Sequence, residues 1–250
     1  MRKGFTRISK ITVRNQPPLI NFHKRLSESP FKITFSKSFY LAHAGGLVFL
    51  RQVEDLLNFM NLHGWAAMPE CMTAGNSLRL KNECQQSWLT GNFRRAGVGR
   101  GETLQTRSEI RLDEVMWLEP DTKSAEQQIF LSMLETLRLA INQRFFLGLF
   151  DYEGHFAVYP EGAFYKPHLD CHAGKSDRIV TTILYLNENW QPGDGGELKL
   201  WTTPEGREGA FVLIEPRMGT LVCFLAADFW HEVLPAHKTR MSITGWFRQR

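Results

Sequence analysis

Eight short β-rich runs follow a first part whose apolar residues recur at helical spacing. The runs begin after residue 150 and are separated by turn signals, of which QPGDGG at 191–196 is the clearest. Together the two parts predict an α+β fold, with N-terminal helices packed on one sheet of a β-sandwich or jelly roll. The runs are HFAVYP, YKPHLDCH, RIVTTILYLN, GELKLW, AFVLIE, GTLVCFL, HEVLPA and MSITGWF.

The first part carries signals for three helices and one strand. Residues 46–65 have apolar side chains at helical spacing, and the following WAAMP predicts a short strand. Residues 72–91 predict a second helix. Residues 122–145 predict a third helix, in which Ser124 and Gln127 resemble a capping box. The apolar face of this helix is predicted to consist of Phe130, Met133, Leu134, Leu137 and Ile141.

The positive charge of the chain is concentrated at its N-terminus. The net charge is +4, yet residues 1–44 alone contain nine Lys or Arg against one acid, Glu28, a local balance of +8. This composition indicates a basic, disordered extension. Residues 45–250 are expected to form one domain, with a helical half at 45–149 and a β core at 150–250.

Deletion of residues 1–44 is expected to leave folding and turnover largely intact. The segment has few periodic apolar positions and contains Pro17 and Pro18, so it should bury little surface. Thermal unfolding of the truncated and full-length proteins measures this. A large fall in melting temperature on truncation would show instead that the segment packs on the rest of the chain.

Composition also indicates the cellular compartment of the protein and the classes of partner to be expected. No apolar run approaches the roughly 20 residues of a membrane span, so no membrane partner is expected, and no nucleic-acid partner is expected either. The four cysteines are scattered without a CxxC spacing, which predicts reduced thiols and a cytoplasmic location rather than a disulfide framework. They are Cys71, Cys84, Cys171 and Cys223.

The stretch FYKPHLDCHAG places His168, Asp170 and His172 within five positions. In an extended strand residues i and i+2 point to the same face, so His168 and Asp170 can reach one point. His231 follows 61 residues after Asp170. Two histidines and one carboxylate are the ligand set of the facial triad that holds Fe(II) and leaves coordination positions open. A metal site is therefore a candidate, although an isolated H-x-D is a weak signal.

A polar stripe lies on the last predicted strand. Arg240, nine residues beyond His231, alternates with Ser242 and Thr244 onto one face, while the other face takes Met241, Ile243 and Phe247. A buried arginine is costly unless a carboxylate meets it, and its planar guanidinium suits a bidentate carboxylate. Because no acid is placed on that strand, a ligand carboxylate is expected to be its partner.

Several motifs of the second part occur in one order: Tyr159 in YP, Tyr165 three residues before His168, HLD, ILYLN with Tyr185, W-x-x-x-x-GGEL, EP-x-x-GTLVCF, HEVLPA and R-x-S-x-T-x-WF. This set resembles the 2-oxoglutarate- and Fe(II)-dependent prolyl hydroxylases of the oxygen-sensing type, most closely their bacterial relatives. The similarity covers residues 150–248 and extends more weakly back to about residue 50, including GVGRGE and EIR-x-D-x-V-x-WL. It implies a double-stranded β-helix with the metal between its sheets.

The resemblance implies catalytic roles for four residues. His168, Asp170 and His231 correspond to the iron ligands. Arg240 corresponds to the clamp for the far carboxylate of 2-oxoglutarate. The other histidines of this region have no ligand counterpart and are expected to be solvated; they are His155, His172 and His237.

Five further residues match positions around the cosubstrate and the substrate in the family. Tyr185 and Thr244 would hydrogen-bond the carboxylate of 2-oxoglutarate, and Tyr159 would line the pocket near the iron. Arg178 and Tyr165 correspond to residues near the target peptide.

The activity implied by the resemblance is that of a 2-oxoglutarate-dependent dioxygenase similar to the procollagen-proline and peptidyl-prolyl hydroxylases. Its cofactors would be Fe(II), 2-oxoglutarate as cosubstrate and O2, with ascorbate in support. Its partner would be a protein with a target proline, and a translation-related protein is the candidate. The loops RRAGVGRGE (94–102) and HAGKSD (172–177) are candidates for mobile segments beside an open substrate groove.

Two alternatives stay open at this point. An oxygenase of the same fold could act on a free amino acid or another small molecule, and it would differ at the mouth of the pocket. A non-catalytic β-sandwich binding module could carry an incidental histidine pair. The combination of His168, Asp170, His231 and Arg240 argues against the second, and 2-oxoglutarate turnover with added iron would separate it from the enzymes.

Overall fold

The computed structural model describes residues 44–97, 105–171 and 177–250. Three sequence predictions therefore fall wholly or largely outside the described residues. They concern the basic extension at 1–44, the glycine-rich part of the loop at 94–102, and the segment 172–176 with His172.

All three predicted helices are confirmed: α1 spans Ala44–His63, α2 Ala74–Leu89 and α3 Ala125–Phe145. The side chain of Ser124 accepts a hydrogen bond from the backbone N–H of Gln127, so the predicted N-cap of α3 is present. The side chain of Gln127 donates instead to Glu83 of α2, at 2.5 Å. The capping residues thus also join α3 to α2.

Eleven strands are present in the described residues, and they include the nine predicted from the sequence. Two strands that the sequence patterns did not reveal are β2 and β3, which lie between α2 and α3. The strands are β1 Trp65–Met68, β2 Arg94–Arg95, β3 Glu114–Trp117, β4 Asp151–Tyr159, β5 Tyr165–His168, β6 Arg178–Tyr185, β7 Leu198–Trp201, β8 Phe211–Ile214, β9 Leu221–Leu225, β10 His231–Val233 and β11 Arg240–Arg248.

The strands form two antiparallel sheets. The larger has seven strands in the order β1-β9-β6-β11-β4-β3-β2, and the smaller has four in the order β5-β10-β7-β8. Strands that are not consecutive in sequence are neighbours in both sheets, such as β6 between β9 and β11, and this arrangement agrees with the predicted jelly roll. Strands β1, β2 and β3 show that residues before 150 also contribute to the larger sheet.

Both faces of the larger sheet are buried, because the helices cover one face and the smaller sheet covers the other. Alternate residues of β4 and β11, such as Phe156 and Ile243, pack in the cluster that contains the helix residues Leu57 and Leu134. The residues that alternate with these point toward the smaller sheet. On that side, Ile183 of β6 and Phe224 of β9 pack in one cluster with residues of β7 and β8, for example Leu200. The space between the sheets is therefore an interior in which polar side chains need partners.

None of the three described helices is long and apolar enough to cross a membrane.

Candidate active site

Two neighbouring strands of the smaller sheet bring His168 and His231 together. His168 ends β5 and His231 begins β10, and the two residues are direct cross-strand partners in the antiparallel pair. Their ring centroids are 4.1 Å apart. Facing positions of this kind hold side chains within contact distance, so the 63 residues that separate the histidines along the chain are bridged by one sheet register.

Asp170 completes the cluster from the segment that follows β5. Its Oδ1 lies 3.6 Å from Nε2 of His168, and its Oδ2 lies 3.5 Å from Nε2 of His231. Oδ2 also accepts a hydrogen bond of 2.7 Å from Oγ1 of Thr181, on β6 of the larger sheet. One ligand atom from each of the three residues lies within 4.8 Å of the others. The cluster is therefore anchored to both sheets.

Each imidazole is oriented by a bond to the main chain two residues before it. Nδ1 of His168 donates to the carbonyl of Lys166 at 2.8 Å, and Nδ1 of His231 donates to the carbonyl of Phe229 at 3.0 Å. These bonds select the tautomer whose Nε2 is free to bind a metal. Burial, with the neighbouring His168, lowers the pKa of His231 to about 4, so it is neutral at physiological pH.

The donor set fits Fe(II). Two neutral imidazoles and one carboxylate suit a borderline-hard divalent ion, and three protein ligands leave further coordination positions open. Burial alone would raise the pKa of Asp170, but the two histidines and the Thr181 hydroxyl hold it well below its usual range. The carboxylate is therefore ionised and available to a cation.

Thr181→Val is expected to weaken metal binding by roughly 10- to 100-fold, because it removes the hydroxyl that orients Asp170 while keeping the shape of the side chain. Titration with Mn(II) or Fe(II), beside a melting curve, measures this. The matched control is Thr182→Val, because Thr182 is equally buried but its hydroxyl lies 3.3 Å from Tyr152 on the helix-facing side. Equal metal affinity in the two variants would remove Thr181 from the metal site.

Arg240 lies in the same pocket and opens β11. It is 1% exposed, and its Nε donates to the carbonyl of Gly196 at 2.9 Å. One terminal nitrogen lies 3.4 Å from Oγ of Ser242. No carboxylate of the described residues lies within ion-pair distance of its guanidinium. A buried guanidinium without a carboxylate partner can bind the carboxylate of a ligand.

Tyr185 is a second buried polar residue close to Arg240. The hydroxyl of Tyr185 is fully buried and makes no hydrogen bond with the described residues. Burial, opposed by Arg240, raises the pKa of Tyr185 to about 12, so the hydroxyl keeps its proton. The Arg240 guanidinium carbon lies 4.8 Å and 5.0 Å from the ring centroids of Tyr159 and Tyr185. Together these groups can bind an anion with a charge-assisted donor and a neutral donor.

The two adjacent glycines of the GGEL motif make room for Arg240. Both have positive φ, +71° at Gly195 and +65° at Gly196, which favours glycine. A Cβ at Gly195 would lie 2.3 Å from the carbonyl oxygen of Pro235, and one at Gly196 would lie 3.0 Å from Cδ of Arg240. The motif therefore lets the loop before β7 close over the arginine.

The other predicted cosubstrate contact, Thr244, lies two positions beyond Ser242 on β11 and lines the pocket. Ser242 is the hydroxyl residue beside the guanidinium, with no exposed surface. The sequence placed Arg240, Ser242 and Thr244 on one face, and strand periodicity could have identified Ser242 as the nearer partner.

The predicted substrate residues Tyr165 and Arg178 lie at the pocket wall near the metal cluster. Tyr165 stacks on His168 with ring centroids 3.6 Å apart and an interplanar angle of 17°. Arg178 lies over the ring of Trp246, 3.4 Å from its centroid, and donates to Glu153 at 2.8 Å. Both residues are therefore held in defined positions.

The sequence predictions missed an ion pair behind Tyr165. Arg111 donates to both carboxylate oxygens of Asp113, at 2.7 and 2.5 Å, and its guanidinium carbon lies 4.1 Å from the Tyr165 ring centroid. Asp113 is 1% exposed. The signal was present in EIR-x-D, which belongs to the resemblance, but the spacing alone did not show what these residues contact.

The prediction for His155 was wrong. This residue is in β4, is 5% exposed and lines the pocket with Trp246. The reason is that β4 is covered on both faces, so no position in its middle reaches solvent. His237 is exposed as predicted, and its Nδ1 lies 2.7 Å from the carbonyl of Gly193.

Comparison with known proteins agrees with this arrangement. Residues 154–248 match the 2OG-Fe(II) oxygenase superfamily. The chain is 29% identical over 208 residues to Egl nine homolog 1 of Homo sapiens, covering 78% of this chain and 46% of that protein. It is 27% identical over 229 residues to the hypoxia-inducible factor prolyl hydroxylase of Caenorhabditis elegans, covering 83% and 30%. The chain thus spans about half, or less, of the length of these relatives.

Solved structures give the same result. A prolyl-4-hydroxylase from Pseudomonas putida is 40% identical, with a TM-score of 0.73, covering 79% of this chain and 100% of that one. A prolyl hydroxylase from Trichoplax adhaerens has the same fold, with 24% identity and a TM-score of 0.73 over 84% of this chain and 94% of that one. These matches confirm the resemblance found in the sequence. The chain belongs to the 2OG-Fe(II) oxygenase superfamily, and prolyl hydroxylases of several organisms are among its relatives within that superfamily.

Proposed function

We propose that the chain is a 2-oxoglutarate- and Fe(II)-dependent dioxygenase that hydroxylates a prolyl residue in a protein substrate. The observation that carries the proposal is one pocket that combines His168, Asp170 and His231 with the buried guanidinium of Arg240. The first three suit a metal, and the fourth suits the carboxylate of a bound cosubstrate. The 40% identity to the Pseudomonas putida prolyl-4-hydroxylase supports proline as the target residue.

In this proposal His168, Asp170 and His231 hold the Fe(II). When bound, the metal and 2-oxoglutarate supply the oxidising chemistry that inserts one oxygen atom of O2 into a C–H bond as 2-oxoglutarate becomes succinate and carbon dioxide. The hydrogen bonds that the imidazoles donate to the carbonyls of Lys166 and Phe229 keep both rings oriented. The near-complete burial of His231 and Asp170 limits access of bulk water to the reacting centre.

The same proposal gives the far carboxylate of 2-oxoglutarate to Arg240. Its terminal guanidinium nitrogens would donate to that carboxylate, and the unpartnered hydroxyl of Tyr185 would donate a further hydrogen bond. Thr244, on the same face of β11 as Ser242, lines the pocket that contains the metal cluster. These groups would thus hold the far carboxylate of the cosubstrate.

A prolyl side chain fits the outer part of this pocket. Its ring is apolar, and the wall near the metal includes the aromatic rings of Tyr159, Tyr165 and Trp246. The Trichoplax structure contains a peptide fragment of the hypoxia-inducible factor, which supports a peptide rather than a free amino acid as the class of substrate. A cytoplasmic location belongs to the same proposal, on the ground of the scattered cysteines without a CxxC spacing.

The test is mass spectrometry of a cell lysate incubated with the protein, Fe(II), 2-oxoglutarate and ascorbate. The expected product is a protein in which one proline has gained the mass of one oxygen atom. The experiment also identifies the target, for which a translation-related protein is the candidate. An incubation without 2-oxoglutarate is the control. Turnover of 2-oxoglutarate with modification of a free amino acid and of no protein would favour the small-molecule alternative.

A further inference from the structure

His155 lines the pocket that holds the metal cluster. It is the cross-strand partner of Thr244 on β11 and of Trp117 on β3. Its ring centroid is 4.9 Å from that of Trp117 and 5.6 Å from that of Trp246. The imidazole therefore forms part of the pocket wall, beside Trp246.

Two nitrogens of this wall have no hydrogen-bond partner within the described ranges. They are Nδ1 of His155 and Nε1 of Trp246, and both belong to side chains that are more than nine-tenths buried. Buried polar atoms nearly always have a hydrogen-bond partner. Two neighbouring nitrogens without one, in residues of a pocket wall, therefore indicate that a ligand supplies the missing partner. An indole N–H can only donate, so that ligand must offer an acceptor.

The imidazole is uncharged. Burial lowers the pKa of His155 to about 3, the nearby Arg111 and Arg178 act in the same direction, and Asp113 and Asp170 only partly oppose them. A neutral imidazole has one donor and one acceptor nitrogen. The two arginines themselves bind Asp113 and Glu153. This part of the wall thus offers neutral hydrogen bonds rather than an ion pair.

This chemistry discriminates between classes of substrate. A free amino acid carries a charged carboxylate and a charged ammonium group, and each would need a counter-charge on desolvation. A peptide presents neutral carbonyl and amide groups at the same positions. Neutral donors flanked by two tryptophan rings therefore fit a peptide main chain.

We propose that His155 is a specificity-determining residue that hydrogen-bonds a main-chain carbonyl of the target peptide, beside the indole N–H of Trp246. This inference rests on the proposed protein hydroxylation. It assigns to His155 the recognition of the peptide backbone, separate from metal binding and from the carboxylate site at Arg240.

The test uses the full-length protein and a peptide copied from the site modified in the lysate experiment. His155→Met keeps an unbranched apolar side chain and removes both nitrogens. His155→Asn and His155→Gln restore a donor near the position of Nδ1 or Nε2. His63→Met, at the exposed end of α1, is the matched control. The Michaelis constants for peptide and for 2-oxoglutarate are measured for each, beside a melting curve.

His155→Met is expected to raise the Michaelis constant for the peptide by roughly three- to tenfold, the effect of losing one hydrogen bond, and to change that for 2-oxoglutarate by much less. His155→Asn or His155→Gln should restore most of the lost peptide affinity. The variant that does so shows whether Nδ1 or Nε2 makes the hydrogen bond. If His155 only packs, Met should be the better replacement, and a Met variant at least as good as Asn and Gln would overturn the inference. A constant for 2-oxoglutarate that rises as much as that for the peptide would overturn it too.

The outcomes of these experiments distinguish a failure of this inference from a failure of the proposed function. A modified residue other than proline overturns the prolyl assignment alone, because the peptide constants still test His155. Turnover of 2-oxoglutarate with no modified protein overturns both. Modified proline with a wild-type peptide constant in His155→Met overturns only the role of His155.

Discussion

His231→Ala is expected to lower Fe(II) affinity by more than about 100-fold and to abolish 2-oxoglutarate turnover. Loss of an outer partner of a ligand alone typically costs 10- to 100-fold in affinity, and here one of only three protein ligands is removed. Asp170 and His168 would be left as a pair, with a cavity where the buried ring of His231 had packed on Phe224, 4.8 Å between centroids. Calorimetric titration with Fe(II) under anaerobic conditions measures the loss.

The same site should not select iron by strength of binding. Mn(II), Co(II) and Zn(II) are expected to compete for it and to block turnover, because affinity at a histidine and carboxylate site follows the general order of the divalent ions.

For His231→Ala, the matched control is His237→Ala, because His237 is exposed and lies outside the metal cluster. Full metal occupancy and turnover in His231→Ala would remove that residue from the site.

Arg240→Lys is expected to weaken 2-oxoglutarate binding roughly 10- to 100-fold, while Fe(II) binding changes little. Lysine keeps the positive charge but loses one of two parallel N–H donors, and a hydrogen bond to a charged group contributes roughly 1.5–3 kcal/mol. The hydroxyl of Tyr185 would still contact the carboxylate, so the effect is expected at the lower end of that range. The affinity for Fe(II) should change little, because Arg240 is not one of the three side chains of the metal cluster.

The measurement is the apparent Michaelis constant for 2-oxoglutarate in a succinate-release assay, together with a metal titration of the same variant. Arg79→Lys is the control, because Arg79 is an exposed residue of α2 that pairs with Glu126 at the surface. A wild-type constant for 2-oxoglutarate combined with a collapse of metal affinity would show that Arg240 supports the metal instead.

Strand periodicity determined much of the fold and part of the site from sequence alone. Short alternating runs bounded by turns predict strands wherever they occur. The H-x-D spacing also brought His168 and Asp170 together, although β5 ends at His168 and Asp170 lies in the segment after the strand. The link to His231 and Arg240 needed the resemblance, because spacing along the chain says nothing about which strands pair. Strands β2 and β3 were missed, since two to four residues contain too little pattern.

The tertiary structure alone decided which polar residues are buried and what they contact. An antiparallel strand usually has one face in solvent, so His155 in HFAVYP could be expected to be solvated. Here the helices cover one face of β4 and the smaller sheet covers the other, and His155 becomes part of the pocket wall. The same layering leaves the Tyr185 hydroxyl without a partner and sets the Arg240 guanidinium beside Ser242. Burial depends on which elements pack across both faces of a strand, and the sequence of that strand does not contain this information.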